Sequence, residues 1–133
     1  MQTYKGKQVN KFLMVLTLMS TPAAAEWTMI QAGDNENVYV DFDTLQRSGN
    51  LVTVSTLNDY YFSQQKKELS AQFTELHDCK NKKFKALSII HYSQNMAKGN
   101  VIETSSFNEP EIVWSDVVNY SVGELKANII CSR

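Results

Sequence analysis

The chain is poor in the residues from which most catalytic and metal centres are built. It has two cysteines, Cys79 and Cys131, and two histidines, His77 and His91. Two prolines and five glycines are too few for a flexible linker or a low-complexity tract. No G-x-S-x-G elbow, P-loop, dinucleotide-binding glycine pattern or H-E-x-x-H zinc signature occurs. The acidic stretch at 34–43 fails as a calcium loop. Counted from Asp34, an EF-hand needs Gly at its sixth place and Glu at its twelfth, where Tyr39 and Leu45 stand. No metal site and no enzyme are expected, since carboxylates alone would have to carry any chemistry. Long apolar runs are also missing. Phe12 to Met19 as a helix covers about 12 Å against roughly 30 Å of hydrocarbon, so no transmembrane segment is expected.

What is present at the N-terminus is an export signal. Lys5, Lys7 and Lys11 form a positive region, the Phe12–Met19 run follows, Pro22 breaks it, and Ala23-Ala24-Ala25 offers a small-residue cleavage site. The expected organisation is a signal peptide over 1–25 and one domain over 26–133. No cysteine stands at the cleavage site, so a lipid anchor through an N-terminal Cys is not expected. The expected location is periplasmic or secreted. Without the leader the chain keeps 10 basic and 14 acidic residues. A net charge of about −4 argues against nucleic acid as a partner, because phosphate binding requires a basic face.

The mature segment reads as short strands divided by turn residues. Strands are expected at 26–32, 38–42, 51–62, from about Glu68 to Cys79, at 82–93 and at 99–107. Asp43 to Asn50 reads as a turn containing one helical turn capped by Asp43, with Gly49-Asn50 restarting the chain. A loop carrying Trp114 follows Pro110. Ser121 and Glu124 then form an S-x-x-E capping box, and Val122, Leu125 and Ile129 mark one apolar helix face. A helix this short does not persist alone in water and must pack on the sheet. The expected class is α+β: about six antiparallel strands with one C-terminal helix on a face.

Three side-chain sets are candidates for function. In an oxidising compartment Cys79 and Cys131 are expected to pair, tying helix to sheet. Closing a loop of about 53 residues stabilises by roughly 4 kcal/mol in the chain-entropy model. A redox pair would need the C-x-x-C spacing that activates a thiolate, which is absent. Because Cys131 lies off the Val122/Leu125/Ile129 face, the helix is expected to unwind near Ile130. A reversal at Lys80-Asn81 pairs Cys79 with Lys82 and sets His77 opposite Phe84. His91 then lies about 23 Å farther along its strand at 3.3 Å per residue, so the two imidazoles cannot share a metal or a proton. Lys80, Lys82, Lys83 and Lys85 surround the hairpin tip. They read either as a solvated turn whose charges discourage edge pairing or as a positive knob for an acidic or polyanionic partner.

Glu26-Trp27, "VYVDFDTLQRSGNLVTV", "ELHDCKNKKFKALSIIHYS", "KGNVIE", Trp114 and the closing "SVGELKANIIC" together resemble the surface-adhesin protein E-like domain of Gram-negative bacteria. The resemblance spans essentially all of the mature chain. It implies a six-stranded antiparallel sheet whose C-terminal helix is held by a disulfide. Cys79 and Cys131 match the bonded pair, and Trp27, Asp41, Tyr92 and Trp114 match framework positions. It further implies a non-enzymatic binding module for host matrix or plasma proteins such as vitronectin and laminin, with no cofactor beyond haemin, for which an axial His77 or His91 would be needed. The adhesin founder carries a lipobox that this chain lacks. The alternative expectation is therefore a soluble periplasmic structural or accessory protein with no host partner.

Overall fold

The computed structural model describes residues 24–108 and 113–133; positions 1–23 of the leader expected over 1–25, and Pro110, lie outside the described residues. Among these residues seven strands, β1 Thr28–Ala32, β2 Glu36–Ser48, β3 Leu51–Tyr60, β4 Ser70–Asp78, β5 Lys83–Gln94, β6 Lys98–Ser106 and β7 Ser115–Asp116, precede one helix, α1 Val122–Cys131. The first six form an antiparallel meander in the order β1-β2-β3-β4-β5-β6. β7 pairs with β5 through Lys83 and Phe84, while β6 pairs with it from Ser88 to Gln94. Since β4 takes the other side of Lys83 and Phe84, β6 and β7 line the same edge as one interrupted strand. The Phe107 N–H still donates to the Leu87 carbonyl at 2.9 Å. The edge is next paired at Ser115, directly after Trp114.

Asp43 to Ser48 belongs to β2 and not to a turn. Between the pairs Asp41–Ser55 and Gln46–Thr53, β2 spends four residues where β3 spends one, an enlarged bulge. The Thr44 hydroxyl holds it, donating to the Asp41 carbonyl at 2.7 Å and accepting from the Ser55 N–H at 2.8 Å. The Asp41 carboxylate accepts the Asp43 N–H at 3.1 Å, which takes up the capping role expected of Asp43. The extra residues let both Phe42 and Leu45 pack on the core. The reversal itself is confined to Gly49-Asn50, where Gly49 has φ of 59°, a left-handed geometry that glycine adopts without steric cost.

The core lies between the sheet and α1, with Val40, Val52, Val54 and Ile130 at its centre. Ser121 caps the helix as expected, its hydroxyl accepting the Glu124 N–H at 3.1 Å. The expected helix face is wrong. Val122 and Leu125 are 39% and 41% exposed, whereas Ala127 and Ile130 are buried. The i, i+3 pair Ala127/Ile130 and the i, i+4 pair Ala127/Cys131 share one side of a 3.6-residue turn. Cys131 therefore reaches the sheet without any unwinding, and Ile130 stays helical.

This rotation has a mutational signature. Ile130→Ala is expected to cost about 2–5 kcal/mol, as for other buried Ile truncations, and Leu125→Ala no more than about 0.5 kcal/mol. Urea unfolding of the two variants checks the difference; equal losses would put the face back at Leu125.

Candidate functional site

The end of the sheet at which β4 turns into β5 gathers most of the chemically distinctive residues. Asp78 pairs with Lys83 and His77 with Phe84, so the register expected around the hairpin holds, while Cys79 to Lys82 form the turn. The exposed Asp78 carboxylate organises that turn. It accepts the Lys80 and Asn81 N–H groups at 3.2 and 3.0 Å and the Asn81 side-chain amide at 2.8 Å. These bonds favour its charged form and hold its pKa below the ordinary value, the Asn81 backbone bond first. Cys79 and Cys131 are joined, with Cα atoms 5.7 Å apart. Arg47 donates to the Cys131 carbonyl at 2.8 Å, a cation placed at the negative end of the helix.

Beside the disulfide lies a polar network inside the core. Glu75 is 4% exposed. Its carboxylate accepts the Thr56 hydroxyl at 2.9 Å, bonds His77 Nε2 at 2.7 Å, and pairs with Lys126 Nζ at 2.5 Å. Burial pushes the Glu75 pKa up. The His77 bond and the Lys126 charge more than offset it, leaving a value of about 2. A carboxylate so fully engaged is a poor general base. It is an ionised anchor to which the helix is attached through Lys126. The same ammonium approaches the Phe84 ring, 5.9 Å from its centroid, and opposes the upward shift that burial imposes on Glu36.

Periodicity could have exposed this network. Leu69, Ala71 and Phe73 alternate with the polar Ser70, Gln72 and Thr74 in the sequence, and Glu75 and His77 continue the apolar side at the same spacing. The Lys126 partner could not be found this way, since it is 51 residues away.

The structure brings three of the four hairpin lysines together. Lys80, Lys82 and Lys83 are exposed, and Lys83 lies 3.9 Å from Asp116. Lys85 is only 3% exposed, and its ammonium sits 4.3 Å from the centroid of the Trp114 ring. It projects from the sheet face opposite α1, because inward-facing Phe84 and Ala86 flank it in β5. A cation–π contact in a desolvated site is worth about 2 kcal/mol, and Trp114 encloses the charge. A cavity of about 240 Å³ separates the hairpin from the helix. His77, the disulfide, Ala127 and Val117 form its wall, with Lys82 and Lys83 also lining it.

The imidazoles remain apart. His77 pairs with Phe84 and His91 with Ala71, six residues along β4, which is about 20 Å. His77 is 1% exposed and stacks on Phe84. His91 Nδ1 is buried and points toward Glu68 at 3.7 Å. Among the described residues no three His, Cys, Asp or Glu side chains converge to hold a metal ion. No described helix is long and apolar enough to cross a membrane.

The family model described as Surface-adhesin protein E matches residues 27–132. Two crystal structures of Haemophilus influenzae protein E share the fold. One superposes with a TM-score of 0.55 at 13% identity, covering 82% of this chain and 94% of the other. The second gives 0.54 at 15% identity, covering 84% and 80% respectively. At such identities the likeness concerns the fold. No curated protein sequence matches significantly.

The buried anchor carries a prediction for stability. Lys126→Met strands the Glu75 charge and is expected to cost about 3–5 kcal/mol. Adding Glu75→Gln should recover most of that loss. Because the folded Glu75 pKa lies below its ordinary 4.5, its stabilisation is complete above about pH 4.5 and is lost as pH falls toward 2. Urea unfolding of the wild type and the double variant from pH 6 to 2 checks both statements. Wild-type stability should fall more steeply with acid than that of the double variant.

Proposed function

The chain belongs to the surface-adhesin protein E family, and we propose from that premise that it is an exported, non-enzymatic binding module. Its partner side is the basic hairpin tip, and its partners are acidic segments of proteins outside the cell. Carrying this reading is the placement of Lys80, Lys82 and Lys83. All three are exposed on a tip braced by the Asp78 turn and the Cys79–Cys131 bond, in a domain whose remaining charge is acidic. Such a knob favours encounter with an oppositely charged surface. Lys85 is outside the proposed surface because Trp114 covers it.

Catalysis has no support in the network described. Glu75 is held ionised and fully bonded. Haemin is left out of the proposal for a related reason: the His77 Nε2 is taken by Glu75, and both histidines have Nδ1 buried. His77, 1% exposed and bonded through Nε2 to Glu75, has no nitrogen that reaches an axial position.

The test compares Lys80→Gln/Lys82→Gln/Lys83→Gln with wild type on immobilised vitronectin and laminin. Binding is expected to weaken by about tenfold, with a reduced salt dependence, and Lys85 variants are not needed. Unchanged binding would remove the hairpin from the proposal. Protease treatment of intact cells is expected to degrade the protein. Complete protection would favour a periplasmic accessory role without host partners.

A further inference from the structure

The sheet face turned away from α1 carries a groove of about 600 Å³. Trp27, Gln72 of β4 and Tyr92 of β5 line it, with Met96, Ala97 and Lys98 from the β5–β6 turn. Residues before β1 reach across this face, and Ala24 and Ala25 lie along the same groove. Leu57, which pairs with Gln72, has no solvent access. The groove stands at the opposite end of β4 and β5 from the lysine hairpin, so it is independent of the surface proposed above.

Its turn is built in a way that a simple reversal does not require. Met96 and Ala97 have φ of 60° and 57°, a left-handed geometry uncommon outside Gly, Asn and Asp. Interior side chains from two other strands impose it. The Asp59 carboxylate accepts the Met96 N–H at 2.7 Å and the Asn95 side-chain amide at 3.0 Å. The Ser70 hydroxyl accepts the Ala97 N–H at 3.0 Å and donates to the Gln94 carbonyl at 2.6 Å. Asp59 is 9% exposed and Ser70 has no exposure. Over-determined backbone of this kind is characteristic of ligand clamps. Here it sets Met96, Ala97 and Lys98 against the groove.

We propose that this groove binds a pyranose sugar bearing a carboxylate, with the sugar's C–H face on the aromatic rings of Trp27 and Tyr92. Aromatic walls with a few directed polar groups are the usual make-up of a small-molecule site. A wholly aliphatic ligand would cover the Gln72 side-chain N–H groups without bonding them. The Tyr92 hydroxyl and Gln72 Oε1 lie 3.5 Å apart, a spacing that adjacent sugar hydroxyls can join. Lys98 is the one charged side chain among the lining residues, and its exposed ammonium selects the acidic sugar through a charge-assisted bond. Cleavage after Ala25, as expected from the sequence, would remove both alanines and leave Trp27, Gln72, Tyr92 and the β5–β6 turn as the lining.

The test is an NMR titration of the processed protein with a hexuronate tetrasaccharide, a neutral hexose tetrasaccharide and the peptide Thr-Pro-Ala-Ala-Ala. The hexuronate is expected to shift the Trp27 indole N–H and the Gln72 side-chain amide saturably. Lys98→Gln, an exposed change that leaves the fold intact, is expected to weaken hexuronate binding about tenfold and neutral-sugar binding no more than about twofold. Trp27→Ala should remove both. No shift at Trp27 or Gln72 with either sugar up to about 10 mM would overturn the proposal. So would saturation by the peptide alone, or a Lys98→Gln variant that binds hexuronate as the wild type does.

Discussion

Glu75 and Lys126 are 51 residues apart in sequence and 2.5 Å apart in the fold. The charge on Glu75 is buried, so its partner has little freedom to move: an unpaired carboxylate in that position would cost several kcal/mol. Lys126 must therefore face the sheet. With Lys126 at one margin of the inward face, Ile130 and Ala127 fill its centre, Cys131 comes within bonding distance of Cys79, and Leu125 is left toward solvent. The disulfide shortens the unfolded chain's reach, whereas the ion pair chooses the side of the helix. Thr56 and His77 complete the carboxylate's bonding, so a polar group is accommodated in the core without being left unsatisfied.

The opposite face is covered differently. Among the described residues no helix lies there. Instead two tryptophans from outside the ladder cover it, Trp114 over the Lys85 ammonium and Trp27 along the groove with Tyr92. This division leaves two accessible regions at opposite ends of the same pair of strands. At one end the Asp78-braced turn presents three lysines. At the other the Asp59- and Ser70-braced turn borders an aromatic groove. Both turns contain residues with positive φ, and both are held by side chains rather than by glycine.

The meander, the β4–β5 register and the disulfide were legible because each rests on local pattern: alternation, turn residues and cysteine number in an exported chain. The helix face was not. Its apolar residues fall on overlapping sides, Val122/Leu125/Ile129 and Ala127/Ile130, and periodicity alone cannot choose between them. The residue that decides is Lys126, which by polarity reads as solvent-facing. Lys85 was misjudged for the same reason, since Trp114 covers it from 29 positions later in the chain. In β2, Asp43 and Gly49-Asn50 gave true turn signals, but the bulge absorbed the first and kept the strand intact to Ser48. Long-range pairing of charge with an aromatic ring or a carboxylate accounts for two of these three departures.

Carbon-13 NMR of the Glu75 side-chain carboxyl, followed from pH 7 to pH 2, tests the central constraint most directly. If Lys126 and His77 hold the carboxylate as described, its resonance stays in the ionised position through pH 4.5 and moves only near pH 2. A midpoint at the ordinary 4.5, or above it as burial without pairing would give, would mean that the ion pair does not set the helix on the sheet.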